Sequence, residues 1–219
     1  MLLDLSHPIV PGMTTYPGLP GPVVRAHLSR EASRAHYAPG TEFHIGAIDM
    51  VGNTGTYIDA PFHRHSGGAD VAGLPLERLA DLPVALVRRA PGAPRAIGPE
   101  AFAGLALAGR AVLVQTGHAR HWGSAAYFRE HPFLTREAAG LLCAAGAALV
   151  GIDSLNIDST ADPERPVHTL LLGAGVPIVE HLAHLDALPD PCPGLRFFAV
   201  PAPVHALGSF PVRAFALAP

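Results

Sequence analysis

The sequence predicts a single mixed α/β domain with a mainly β core, covering residues 1–219. Three observations point there. Short apolar runs bounded by Gly and Pro outnumber helical patterns. Helices do not recur between strands at a constant spacing, which argues against a regular βαβ repeat. No repeat or composition shift divides the chain, and 49% hydrophobic residues suffice for a sizeable core.

The elements follow in order. Leu2–Leu5 reads as a short strand, and the Pro- and Gly-rich stretch after it, up to residue 40, as extended chain. Phe43–Met50 and Thr54–Asp59 read as strands, the second ending at Pro61. Val84–Arg89 is a further strand. Pro99 opens a short helix that runs to about Gly109. Ala111–Thr116 is a buried strand. Thr135 is the N-cap of a helix through Ala145, and Gly146 is its left-handed stop. Ala147–Asp153 is again a buried strand, and Val167–Leu172 a short helix. Pro177–Glu180, Phe197–Val200 and Val212–Leu217 complete the strands.

Composition excludes several functions. The chain has no lysine, so its 15 basic residues are all arginine, which removes Schiff-base chemistry and the P-loop lysine. A formal charge of -3 gives no basic footprint for nucleic acid. Cys143 and Cys192 stand far apart, without a C-x-x-C pair, so neither a disulfide framework nor a zinc–thiolate site is expected. No signal peptide and no run long enough to span a membrane is apparent, and a cytoplasmic protein is expected. The 13 histidines invite a search for metal ligands and general bases.

Four stretches carry candidate chemistry. In the run from Asn53 to His63, strand alternation puts Asn53, Tyr57 and Asp59 on one face, and Pro61 turns the chain just before His63. Spacing alone also allows a polar strand end with a turn. His168 opens a short helix, and Glu180 ends an apolar strand; a capping histidine and a surface carboxylate are the plainer alternatives. A polar loop with His118 and Trp122 follows a buried strand, a good place for substrate contacts or simply a loop. G-x-S-x-G, H-E-x-x-H and post-strand G-x-G-x-x-G are all absent.

These stretches, together with Asp4-Leu5-Ser6-His7-Pro8, Tyr16-Pro17-Gly18, Gly151-Ile152-Asp153-Ser154 and Pro211-Val212-Arg213, resemble the cyclase-like metal hydrolases. That family includes bacterial kynurenine formamidase and isatin hydrolase. The resemblance spans nearly the whole chain and implies a swivelling β/β/α fold. It implies Asp59, His168 and Glu180 as metal ligands and His63 as the proton acceptor and donor. The family pattern H-x-G-T-H-x-D-x-P-x-H departs here at two ligand positions, where Asn53 and Tyr57 stand. These two, with His118 and Trp122, are then expected to bind substrate. The implied cofactor is a divalent ion, Mn²⁺ or Zn²⁺, or Mg²⁺; the oxygen-rich ligand set that remains favours the harder cations. Without a cation, Asp59 and Glu180 repel, and a protonated histidine, Arg64 or a cationic substrate group must balance them.

Three readings follow. The first is a metal-dependent hydrolase of a small-molecule amide or ester bond, arylformamidase-like as in tryptophan catabolism, or acting on a lactone or cyclic amide. The second is a metal-free enzyme that uses His63 and Tyr57 as an acid–base pair, and the third a non-catalytic binding protein. A small-molecule partner and a homodimer or tetramer are expected, with neither nucleic acid nor membrane as a partner.

Overall fold

The computed structural model describes all 219 residues. Its strands are β1 (Leu2–Asp4), β2 (Val23–Leu28), β3 (Ile45–Asp49), β4 (Tyr57–Asp59), β5 (Leu82–Arg88), β6 (Ala96–Ile97) and β7 (Ala111–Gln115). They continue as β8 (Phe133–Leu134), β9 (Leu149–Ile152), β10 (Ile178–Glu180), β11 (Arg196–Phe198), β12 (Ser209–Pro211) and β13 (Phe215–Leu217). Three α-helices are present: α1 (Arg30–Ser33), α2 (Arg136–Ala144) and α3 (Pro166–Gly173). No helix is long and apolar enough to cross a membrane.

Nine strands form one sheet in the order β1-β13-β11-β5-β7-β9-β10-β4-β12. β5, β7, β9 and β10 run parallel, and antiparallel strands flank them on both sides. Strand alternation sorts the apolar side chains into two cores. Val84, Ala111, Leu113 and Leu149 face one core with Phe197 and Ala216. Ala85, Val112, Val114, Val150 and Ile152 face the other, which α2 and α3 cover with Leu142 and Leu171. Thr135 caps α2, its Oγ1 accepting from the Ala138 amide at 3.2 Å, and Gly146 at φ 72° ends it, as the sequence predicts.

The sheet register sets up the site. β4 lies between β10 and β12, antiparallel to both. Tyr57 stands directly opposite Glu180 and Asp59 directly opposite Ser209. Opposite residues on one face bring their side chains within contact range, so three distant stretches of sequence meet here.

The structure differs from the sequence reading at several elements, including α1 and the short parallel pair β6–β8, which the sequence did not signal. The stretch after Leu5 contains a strand, β2, which pairs with β3 as a separate two-stranded ribbon. The strand expected from Thr54 begins only at Tyr57, because Thr54 and Gly55 are held in a turn: Thr54 Oγ1 donates to the Val51 carbonyl at 2.7 Å, and Gly55 takes φ 67°. Pro99 opens a 3₁₀ turn that stops at Phe102 rather than a helix to Gly109, since Gly104 and Gly109 both adopt positive φ. The last expected strand, Val212–Leu217, shortens to β13, and an unexpected strand, β12, precedes it and pairs with β4 at the far edge of the sheet.

Candidate active site

Asp59 is fully buried on β4. Its Oδ1 accepts the Ser209 hydroxyl at 2.5 Å, and Asn53 Nδ2 lies 3.5 Å away. Its Oδ2 is buried without a hydrogen-bond partner. Ser209 Oγ also meets His63 Nδ1 at 3.0 Å and Asn53 Nδ2 at 3.2 Å. A hydroxyl donates once and accepts up to twice. With its proton given to the Asp59 carboxylate, Ser209 accepts from Asn53 and from His63 Nδ1–H. That assignment fixes the His63 tautomer and leaves Nε2 as the basic nitrogen.

His63 ends the 3₁₀ turn Pro61–His63 and is the exposed member of the group. Gly208 makes room for it: a Cβ there would meet His63 Cα at 2.6 Å and its N at 2.8 Å. The Ala60 amide donates to the Gly208 carbonyl at 2.7 Å, holding the two segments together.

His168 lies in the first turn of α3, two residues after Pro166. Asp158 accepts from the Val167 amide at 2.7 Å, the His168 amide at 3.0 Å and His168 Nδ1 at 2.6 Å. One carboxylate thus caps the helix and orients the imidazole, the arrangement that orients metal-bound histidines. Nε2 then points at Asp59 Oδ2 and Glu180 Oε1, each 3.6 Å away.

Glu180 is also fully buried. Its Oε1 accepts from the Ile157 amide at 2.6 Å and its Oε2 from the Tyr57 hydroxyl at 2.5 Å. Burial and the charges of Glu180 and Asp59 hold the Tyr57 phenol well above its usual pKa, so it stays protonated and donates. Burial opposes charge on His168, yet its bond to Asp158 and the nearby Asp59 and Glu180 carboxylates push it up to about 10. Burial raises Asp59 too, but His168 and His63 outweigh it and the net direction is down. Glu180 is shifted upward by burial, with Asp59 adding to the rise. Without a cation, the proton on His168 offsets part of the charge of Asp59, Asp158 and Glu180.

The donors suit a metal ion. One ligand atom each from Asp59, His63 and His168 lies within 4.8 Å of the others. Two ligands about 2.1 Å from a common ion at a tetrahedral angle stand about 3.4 Å apart, close to the 3.6 Å between His168 Nε2 and the unpartnered Asp59 Oδ2. A separation of 3.6 Å is too long for a hydrogen bond, as expected where an ion belongs between the atoms.

Asn53, Tyr57, His63, His168 and Glu180 line one cavity of about 500 Å³, with Asp59 beneath. Arg64, expected there as a counter-charge, stands at the same cavity, and so does Arg165, which escaped the sequence reading. Ser209 escaped it too, because its residue type and surroundings carry no signal without the register of β12. The structure does not bring His118 and Trp122 here. Trp122 stacks on His7 at 4.0 Å, against Tyr127 and His181. His118 lines a separate cleft, its Nε2 2.8 Å from the Tyr127 carbonyl. The loop that carries them follows β7, two strands away from β10 in the sheet, which strand-end reasoning alone does not resolve.

The Cyclase family profile, described as "Putative cyclase", matches residues 3–159. The chain belongs to the Cyclase family. This family member is 29% identical to a kynurenine formamidase of Bacillus cytotoxicus, over 97% of this chain and 95% of the relative. It is 31% identical to a kynurenine formamidase of Geobacillus thermodenitrificans, over 83% of this chain and 84% of the relative. Among solved structures, isatin hydrolase A from Labrenzia aggregata superimposes with a TM-score of 0.82 at 25% identity, covering 99% of this chain and 93% of that one. A structure described as a potential metal-dependent hydrolase with cyclase activity gives 0.78 at 28% identity, covering 99% and 96%.

Proposed function

We propose that this Cyclase-family chain hydrolyses an amide bond of a small molecule, with an N-formyl aromatic amine as the substrate class. The observation that carries this reading is the hydrogen-bonded line Asp59–Ser209–His63, which leaves His63 Nε2 as a base beside the unpartnered Asp59 Oδ2. Kynurenine formamidases among the relatives and a metal-dependent hydrolase among the structural neighbours support it. With His63 of the Asp59–His63–His168 cluster kept for proton transfer, Asp59 and His168, joined by Glu180 whose Oε1 lies 3.6 Å from His168 Nε2, would hold a divalent cation. Bound there, such an ion supplies carbonyl polarisation and a more acidic water.

The protein's own groups carry the proton. His63 Nε2 takes it from the attacking water as the C–O bond forms at the formyl carbon. It then returns it to the nitrogen as the C–N bond breaks, releasing formate and the free amine. Ser209 keeps Nδ1 occupied throughout. Asp158 keeps the His168 ring directed inward, and the Tyr57 proton keeps Glu180 in place.

The test is formate release from N-formylkynurenine and from a neutral N-formyl arylamine, by protein stripped with chelator and reloaded with Mn²⁺ or Zn²⁺. His63→Ala should lower kcat by roughly 10²–10⁴-fold on folded, metal-loaded protein. Turnover that survives this change refutes the role of His63. We also propose a homodimer or tetramer. Val23, Val24, Ile45 and Ile48 on the β2–β3 ribbon are about half exposed, and a two-stranded ribbon is marginal alone. Sedimentation as a 22.8 kDa monomer would contradict this.

A further inference from the structure

A second cleft, of about 610 Å³, shares no lining residue with the cavity that holds His63. It opens where the chain leaves the adjacent parallel strands β5 and β7, at Arg89 and Thr116. The carboxyl ends of parallel strands are a common place for ligands. Arg89, Arg95, Arg120 and Arg129 line it, and Glu130 is its one acidic residue. The cleft therefore gathers four of the chain's 15 basic residues and one of its 18 acidic ones, in a protein of net charge -3.

Three of these guanidinium groups are held without being neutralised. Arg34, Arg88, Arg136, Arg196 and Arg213 each pair with a carboxylate. None of the four in the cleft has a carboxylate within 4.0 Å. Arg89, Arg95 and Arg120 lean on uncharged acceptors instead, and Arg129 makes no side-chain hydrogen bond. Arg89 Nη2 donates to the Pro94 carbonyl at 3.1 Å, Arg95 Nε to the His131 carbonyl at 3.2 Å, and Arg120 Nε to His121 Nε2 at 3.1 Å. The Arg95 guanidinium also lies over the Phe133 ring, 5.9 Å from its centre. Each contact uses one donor of five and leaves the fork free for an oxyanion. The apolar lining is only alanine and proline, so the cleft offers charge and no large apolar surface.

We propose that this cleft binds a compact, multiply charged oxyanion, a diphosphate or a polycarboxylate. Uncompensated like charges repel, and an anion bridging the arginines removes that repulsion. The cleft volume lies within the range of small-ligand sites.

The test is calorimetric titration of the full chain, chelator-treated and dialysed, with pyrophosphate and separately with citrate at about 0.15 M salt. At least one should bind one-to-one with a Kd below about 100 µM, and the tighter of the two names the class. Arg95→Gln combined with Arg120→Gln should weaken it at least tenfold, about 1.4 kcal/mol. Arg165→Gln, in the other cavity, should leave the Kd unchanged. No saturable binding of either probe up to about 5 mM overturns the proposal. So does binding that Arg165→Gln weakens, or that survives the double substitution in protein with a native circular dichroism spectrum.

Discussion

Replacing Ser209 by alanine tests the hydrogen-bonded line most directly. The change removes one oxygen that is 2.5 Å from Asp59 Oδ1, 3.0 Å from His63 Nδ1 and 3.2 Å from Asn53 Nδ2. Asp59 Oδ1 is left with Asn53 at 3.5 Å, and Oδ2 already lacks a partner. A hydrogen bond to a buried charged group contributes about 1.5–3 kcal/mol. For a chain of this size that corresponds to a Tm lowered by roughly 3–12 °C. The effect on turnover is separate. Without the acceptor for Nδ1–H, the His63 ring is free to rotate and exchange tautomers, and loss of such supporting contacts typically costs about 10–100-fold. Calorimetric melting and the pH dependence of kcat read the two effects independently, and Ser209→Thr, which keeps the hydroxyl, should restore the second. A Ser209→Ala protein that melts lower yet keeps kcat within about twofold and an unchanged pH profile would show that Ser209 only supports the fold.

Three further outcomes are expected. Gly208→Ala should depress kcat by about 10²-fold, more than its stability loss explains, because the new Cβ meets His63 backbone atoms at 2.6 and 2.8 Å; a crystal structure should show His63 displaced. Burial holds His181 down at about 3, and His7 and His131 at about 4, all below their unfolded value of 6.5. Their stability is therefore complete above pH 6.5 and lost as pH falls toward 3, with a ceiling of roughly 5 kcal/mol for His181 alone; urea midpoints measured from pH 7 to 4 should fall steadily. His168 has the opposite sign: raised to about 10 in metal-free protein, it stabilises fully below 6.5 and loses that as pH rises toward 10. Loading a divalent ion near pH 8 should then expel about one proton per ion, read as a buffer-dependent enthalpy, and release of none would place the ion elsewhere.

Much of the fold was legible because the central strands are short apolar runs with turn residues at both ends. Ala111–Thr116 and Ala147–Asp153 contain β7 and β9, and Thr135 and Gly146 bound α2. β2 was hidden because its partner strand lies well beyond it in sequence and no short hairpin turn joins them. In the site, alternation placed Tyr57 and Asp59 on one face, and both reach polar partners there. What sequence could not supply was register. Ser209 follows a glycine near the C-terminus and becomes Asp59's partner only because β12 joins the edge of β4. His118 and Trp122 show the reverse, a polar loop after a buried strand that opens on a different cleft.

Asn53 and Tyr57, which stand where the resemblance implies ligand histidines, acquire a physical role from these contacts. Asn53 directs its amide nitrogen at Ser209 and Asp59, and Tyr57 gives its proton to Glu180. Both act as donors toward carboxylates, where an imidazole lone pair would have faced a cation. With Ile157's amide on Glu180 Oε1 and Ser209 on Asp59 Oδ1, most carboxylate oxygens here already have a proton partner. The conspicuous exception is Asp59 Oδ2, which faces His168 Nε2 across 3.6 Å. A cation entering that gap competes with the proton on His168, which the surrounding carboxylates hold to about pH 10. Below that value each unit of pH should change apparent ion affinity by about tenfold. Asn53→His and Tyr57→His would each add a neutral nitrogen and withdraw a donor from a carboxylate, and together they should tighten ion binding and flatten its dependence on pH. Equilibrium dialysis at pH 6.5 and 8.5 measures both quantities. An affinity in the unaltered protein that is the same at the two pH values would mean that no ion displaces the His168 proton.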